Sequence, residues 1–277
     1  MERGPNCALD FESTCRKRRT MERITKSRQV GLARALSKLG YCSRSQAAKL
    51  IRAGRVRLNG VARRDPETPV HLERDRIEVD RGPVTAESRI YLMLNKPRGV
   101  VTTASDERGR QTVYSLLGKN VPWVGPVGRL DKASEGLLLL TNDSEWGARI
   151  ADPGSHLDKI YHVQAGVLVG ESLTAALLNG IRTGGELLRA KRARVLRSGE
   201  KNTWLEIVLD EGKNRQIRRM FEHLGIEVLR LIRVAIGPLA LAQLAKGQSR
   251  PLAAGEKSAL DQAVKISCKH TRILEKR

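Results

Sequence analysis

Residues 125–143 read Gly-Pro-Val-Gly-Arg-Leu-Asp-Lys-Ala-Ser-Glu-Gly-Leu-Leu-Leu-Leu-Thr-Asn-Asp, a charged, glycine-bearing segment that runs straight into an apolar one. Leu137 to Leu140 reads as a strand buried on both faces. Arg129, Asp131, Lys132 and Glu135, which should be solvated, are therefore expected at the lip of a buried sheet. Any fold for this chain must place that strand in its core and its charges at a cleft edge.

Asp131 lies between Arg129 and Lys132, and neighbouring positive charge favours the ionised form of a carboxylate. A carboxylate on a rigid element can attack or stabilise an electron-poor carbon, which is the task at a sugar anomeric centre. The same residues also fit a loop ion pair in front of a core strand. Asp131 and Glu135 as an acid pair for glycoside hydrolysis is disfavoured, because that spacing shares one face only in a helix and Gly136 ends the loop.

Fifty-one Lys and Arg stand against thirty Asp and Glu, a net charge of +21. Such an excess implies a polyanionic partner, nucleic acid before anionic membrane. No stretch approaches the roughly 20 apolar residues of a membrane span. Cys7, Cys15, Cys42 and Cys268 are far apart and His156, His162 and His223 lack metal-ligand spacing, so reduced cytosolic thiols are expected and no metal site. Neither a phosphate-binding nor a dinucleotide-binding glycine motif occurs, and no cofactor is expected. Three Trp, four Tyr and two Phe argue against an RNA binder that works by stacking platforms.

Residues 1–29 carry Arg16-Lys17-Arg18-Arg19 without a secretory apolar run and read as a disordered basic arm, with Met21 as a second plausible start. Residues 30–80 read as a compact module. Leu32, Leu36 and Leu39 give one helical face ending at Gly40, and Ser43 with Gln46 opens a second helix through Ile51. Val56–Leu58 is a strand, Asn59-Gly60 a two-residue hairpin turn, and Ile77 to Asp80 a final strand. Arg44, Arg55 and Arg57 are among the cations that crowd this module and give it a basic face. Its helix, helix, hairpin order, with Arg57-Leu58-Asn59-Gly60, resembles the alpha-L RNA-binding motif of a small-subunit ribosomal protein. Such a module docks on phosphates and RNA shape.

Residues 81–89 read as a linker. From 90 to 267 strands and helices mix without strict βαβ alternation, which predicts an α+β domain on a mostly antiparallel mixed sheet. Strands are expected at 90–95, 136–141, 160–167, 186–196, 203–209 and 228–236. Helices are expected at 146–150, 171–178, 216–224 and, more briefly, 256–264. Residues 268–277 read as a basic mobile tail.

Gly128-Arg129-Leu130-Asp131 with Gly136 to Asp143 closely resembles the signature of bacterial ribosomal RNA pseudouridine synthases of the RsuA/RluB family. Ser134 replaces the more usual Thr and Ser144 the usual Gly. The likeness extends over about residues 90–250, through Leu94-Asn95-Lys96-Pro97, Lys159-Ile160-Tyr161, Glu211 to Met220 and Gly237-Pro238-Leu239. It implies the pseudouridine synthase fold, Asp131 as the carboxylate acting at the sugar, and Tyr161 against the target base in proton transfer. It also implies Arg218 paired with Asp131, and Leu231 lining the base pocket. Lys213, Arg215 and Arg129 are assigned to substrate contact. Taken from residues alone, Tyr161 and Leu231 also suit an ordinary core.

The expectation is a cytoplasmic, monomeric enzyme that acts on ribosomal RNA or a ribosomal subunit precursor and isomerises one uridine, with large-subunit RNA favoured. A non-catalytic assembly factor would use the same basic faces and give Asp131 no role. An RNA glycosidase would share the carboxylate but release free base.

Overall fold

The computed structural model of the chain describes residues 29–274, apart from 105, 107 and 119. The expected basic arm lies outside the described residues except for Gln29, as do the last three residues of the expected tail. The chain divides into two compact units, one holding Arg44–Thr85 with the segment that ends at Leu36, the other holding Ser37–Ser43 with the chain from Ala86 onward.

The first unit begins with β1 (Val30–Gly31) and α1 (Leu32–Lys38), followed by α2 (Arg44–Arg52). Leu32, Leu36, Ala47 and Ile51 are fully buried, as the helical spacing requires. Four antiparallel strands complete it in the order β3-β2-β5-β6, where β2 is Val56–Leu58, β3 Val61–Arg63, β5 Ile77–Val79 and β6 Gly82–Pro83. A short β4 (Pro69–Val70) pairs with β1. Asn59 (φ 52°) and Gly60 (φ 80°) form the expected turn, both left-handed, which matches the twist of the strands they join.

A second two-residue turn of the same hand follows at Asp80 (φ 51°) and Arg81 (φ 68°), and it corrects the linker boundary. Val79 pairs with Gly82 and Glu78 with Pro83, so the first residues expected in the linker belong to the sheet. Neither turn residue is glycine, which hid the turn from sequence. The Arg55 guanidinium grips the Asp80 carboxylate, with Nε donating at 2.8 Å, and holds it in this uncommon conformation.

In the second unit the sheet runs β13-β14-β10-β15-β9-β7-β17. Its members are β7 (Tyr91–Lys96), β9 (Glu135–Thr141), β10 (Lys159–Ala165), β13 (Arg192–Ser198), β14 (Thr203–Leu209), β15 (Val228–Ile236) and β17 (Ser249–Pro251). At the sides β8 (Gly125–Val127) joins β9 and β16 (Leu239–Ala240) joins β15. Every pairing is antiparallel except that of β9 with β15, where only Glu135 and Gly136 meet Ile232 and Arg233 in parallel. Along β9 the leucines alternate between two cores. Leu138 and Leu140 pack with Leu92, Leu94 and Val124, whereas Leu137 and Leu139 pack with Met93, Trp146 and Ile236. All four leucines are fully buried, a stabilisation of roughly 2 kcal/mol apiece.

Three helices cover the sheet: α3 (Ser144–Ala151), α4 (Glu171–Asn179) and α5 (Gln216–His223). Asp143 caps α3 by accepting the Trp146 N–H at 3.1 Å. Under α4 and α5 a third core gathers Leu173, Leu177, Leu205, Ile207, Met220 and Phe221.

Two expected elements are corrected. The single strand at 186–196 is two, because β12 (Glu186–Leu188) folds back on β11 (Ile181–Thr183) through the left-handed Gly184-Gly185 turn. The chain then turns at Ala190 and Lys191, whose N–H groups bond the carbonyls of Leu177 and Val208, before β13 begins. No Gly or Pro marks this pivot, which concealed it. The last helix, α6, is Ala254–Leu274, much longer than 256–264. No Gly or Pro interrupts it after Gly255, and it takes in the start of the expected tail.

Gly136 fixes the crossing of β9 and β15. Its φ is +101°, and a Cβ there would stand 2.2 Å from the Arg233 carbonyl oxygen. Gly136→Ala is therefore expected to destabilise the unit by about 3 kcal/mol or more, lowering Tm by roughly 6–12 °C. A thermal melt within 2 °C of wild type, on a scale where ~1 kcal/mol moves Tm by ~2–4 °C, would show that the strands can separate without cost.

Candidate active site

A cleft of about 200 Å³ opens on one face of β10 and β15, walled by the loop from Gly128 to Ser134 and by the start of α5. Asp131, Tyr161, Leu231, Arg129, Lys213 and Arg215 all line it. Arg218 is not in the lining, and Arg44, Arg55 and Arg57 belong to the first unit.

The Asp131 loop is held by its backbone, leaving the side chain exposed. Gly128, at φ +72°, turns the chain out of β8. Buried Leu130 anchors the loop, and its carbonyl accepts from the Thr102 hydroxyl at 2.8 Å. The Asp131 carbonyl accepts the Ser134 N–H at 3.0 Å, which closes a tight turn, while the Lys132 carbonyl accepts the Gly99 N–H at 2.8 Å. Asp131 is the only carboxylate in the lining among the described residues, facing five cations: Arg129, Lys159, Lys213, Arg215 and Arg233.

Lys96, which sequence reasoning passed over, is fully buried behind this loop. Its ammonium donates to the carbonyls of Ser134 at 2.8 Å and Pro97 at 3.0 Å. Burial pushes it down to about 8, against the opposing pull of Asp131 and Glu135. The signal was available as a lone lysine closing the apolar run of β7.

Glu135 proves to be buried, and it is not a second acid of the cleft. Arg230 grips it with two bonds of 3.0 Å, and Lys246 reaches it at 2.7 Å. Burial by itself would raise its carboxyl, but the hydrogen bonds from Arg230 and Lys246 outweigh that and hold it below the ordinary range. Its charge is neutralised within the sheet.

Tyr161 stands on β10 opposite Ile207 on one side and Arg233 on the other. Its ring packs on the core under α5, and no group among the described residues pairs with its hydroxyl. Leu231, on the neighbouring strand opposite Val163, adds an apolar wall. Arg215 takes a left-handed backbone (φ 46°) as it caps α5, an uncommon state for a residue with a long side chain. Lys213 donates to the Leu187 carbonyl at 3.3 Å and lies 3.2 Å from Glu211.

The expected contact between Arg218 and Asp131 is not formed. Arg218 instead donates to the carbonyls of Ala133 at 3.1 Å and Val228 at 3.5 Å, with its Nε buried and unpaired. Burial pushes its guanidinium down, and the field of Asp131 pulls it partly back. Arg218 therefore reaches Asp131 through space and through the carbonyl two residues away. Lys159 and Arg233, also missed, share a strand face with Tyr161 and Leu231 at two-residue spacing, which is the signal that would have found them.

In the first unit Arg44 and Arg57 are exposed, and Arg55 is engaged by Asp80. His156 and His162 lie 3.7 Å from Asp210 and Glu206, and no group of three metal-binding side chains occurs among the described residues.

Comparison with known proteins yields two family matches: RNA pseudouridylate synthase over residues 90–223 and the S4 domain over residues 30–77. An uncharacterised RNA pseudouridine synthase of Aquifex aeolicus (strain VF5) is 38% identical over 238 residues, covering 85% of this chain and 95% of the relative. Ribosomal large subunit pseudouridine synthase B of Bacillus subtilis (strain 168) is 36% identical over 224 residues, covering 80% of this chain and 91% of the relative. A crystal structure of a pseudouridylate synthase matches with a TM-score of 0.60 at 33% identity, covering 83% of this chain and 99% of that one.

Proposed function

Since the chain belongs to the RNA pseudouridylate synthase family, isomerases that act on RNA, and carries an S4 domain, we propose that it converts one specific uridine of ribosomal RNA to pseudouridine, with large-subunit RNA favoured. The observation that carries this reading is Asp131, the one carboxylate that the described residues place in the cleft, set among five cations beside a Tyr161 hydroxyl that none of the described residues pairs with. The name of the Bacillus subtilis relative supports the large-subunit preference.

The isomerisation breaks the bond from N1 of the base to C1′ of the sugar, makes the bond from C5 to C1′, and moves one proton from C5 to N1. Atoms and electrons balance, so the reaction needs no redox partner or group donor. The target atoms are inaccessible in stacked RNA, and the uridine must be everted into the cleft. Asp131 acts at the sugar, where a fixed carboxylate meets developing positive charge. Tyr161 lies against the base and takes the C5 proton, and Leu231 holds the detached ring in place while it turns. Arg129, Lys213 and Arg215 hold the strand through its phosphates. The enzyme works as a monomer on ribosomal subunit precursors in the cytoplasm.

The test is to map pseudouridine in the ribosomal RNA of a strain lacking the gene, before and after incubation with the purified protein. One restored position in large-subunit RNA is expected. Release of free uracil would indicate a glycosidase, and an unaltered map with bound RNA would indicate a non-catalytic binder.

The S4 domain supplies docking charge at Arg44, Lys49 and Arg57, all exposed. Replacing the three by alanine is expected to weaken RNA binding and to flatten the plot of log affinity against log salt by about 2 units, at ~0.7–0.9 for each phosphate left unneutralised. An unchanged slope in filter binding across a salt series would place the RNA on another surface.

A further inference from the structure

Lys159 and Arg233 form a second polar feature of the cleft, which the isomerisation above does not use. Arg233 is 6% exposed. Its Nε donates to the Leu137 carbonyl at 2.7 Å, its Nη2 is buried without a hydrogen-bond partner, and no described carboxylate pairs with it. Lys159 makes one long bond of 3.3 Å to the Asp210 carbonyl. Its nearest carboxylate in sequence, Asp158, is taken by Lys191 at 2.7 Å. Burial pushes the Lys159 ammonium down and Arg233 pushes it further, with Asp210 and Asp158 opposing. Two cations that repel each other in a half-buried cleft are costly unless an anion joins them.

The strand register says which anion. Along the cleft floor Leu231 stands opposite Val163, Arg233 opposite Tyr161, and Ile236 opposite Lys159. Leu231 packs into the core that holds Ile217 and Phe221 of α5, while Ile236 packs into the core that holds Ile150 of α3. The floor is therefore graded, from the apolar Leu231 towards α5, through Tyr161 beside Arg233, to Lys159 towards α3. A nucleotide is graded in the same way, from base through sugar to phosphate. We propose that Lys159 and Arg233 bind a phosphate group of the everted nucleotide, on the side of Tyr161 away from Leu231. The planar guanidinium suits phosphate oxygens, and the lysine adds a point charge beside it. This site rests on the isomerase reading above and deepens it, because fixing the sugar from its phosphate leaves the base free to turn while C1′ stays at Asp131.

The experiment compares binding of uridine, uridine 5′-monophosphate and uridine 3′-monophosphate to the full-length protein by titration calorimetry or ligand-observed NMR. Wild type is expected to bind one of the monophosphates about tenfold more tightly than uridine, as charge-assisted hydrogen bonds imply. Lys159→Gln should remove most of that advantage and leave uridine affinity in place. Arg233→Lys serves as the second variant, because it retains a buried cation if Gln at 159 disturbs the fold. The proposal is overturned if wild type shows no advantage for either monophosphate or no detectable monophosphate binding. It is equally overturned if the advantage persists in both variants, or if uridine affinity falls as far as that of the monophosphate. These readouts need no turnover, so failure of the isomerase reading shows separately, in the pseudouridine map.

Discussion

Asp131→Asn is expected to lower single-turnover isomerisation by about a thousandfold or more, the scale on which loss of an essential acting group appears. Folding should be nearly untouched. The side chain is exposed, the loop is held by backbone hydrogen bonds, and surface substitutions of this kind cost within about 0.5 kcal/mol. RNA affinity should hold or rise, because the substitution removes the only negative charge that the described residues place in a lining with five positive ones. That pairing of outcomes, full binding with no product, is what separates a reacting carboxylate from a loop ion pair. Turnover within tenfold of wild type would remove Asp131 from the chemistry.

Arg218→Ala should produce the second largest loss, and it should appear in kcat. The guanidinium lies behind the cleft, spanning the carbonyls of Ala133 and Val228, so its removal loosens the loop that carries Asp131 and deletes the charge opposite it. A fall of roughly a hundredfold in kcat with KM little changed is expected, since the interaction serves the reacting complex and not the docked one. Lys213→Ala, by contrast, removes a cation of the cleft wall and should raise KM. Combining Arg218→Ala with Asp131→Asn should add little to the single loss at 131, because both act on one unit. Full rate at saturating RNA for Arg218→Ala would move that residue into the docking surface. Arg218→Lys keeps the charge but not the two-carbonyl span, and its partial recovery would measure the electrostatic share.

The residues that make up the cleft are legible where the chemistry is local in sequence. The charged loop before Leu137–Leu140, the strand alternation around Tyr161, and the basic opening of α5 each announce themselves within a dozen residues. Pairings between distant segments are not legible. Glu135 resembles a loop charge because Arg230 and Lys246, which neutralise it, lie about a hundred residues further along. Lys96 resembles a strand end because nothing local shows that Ser134 supplies its acceptor. The Asp80-Arg81 turn lacks glycine and so lacks its usual mark, since the constraint comes from Arg55. The full length of α6 is hidden because the basic residues after Ser267 suggest a tail, although no Gly or Pro there stops the helix from running on.

The two-residue parallel contact of β9 with β15 has a mechanical consequence. Asp131 is carried by the half of the sheet that contains β9, and Tyr161 and Leu231 by the half that contains β10 and β15; each half has a core of its own, and a third core, with Leu137, Leu139 and Ile236, spans the two. The backbone join between them is confined to Glu135 and Gly136 against Ile232 and Arg233. Alignment of the carboxylate with the proposed base pocket is therefore set at this narrow joint and by the core that spans it, not by the core that either half keeps to itself. A core substitution that softens one half can lower the melting temperature and spare the rate, while a small change at the joint can leave both cores intact and still bring the reacting groups out of line. Thermal stability and catalytic alignment are in this way separately adjustable properties of one sheet.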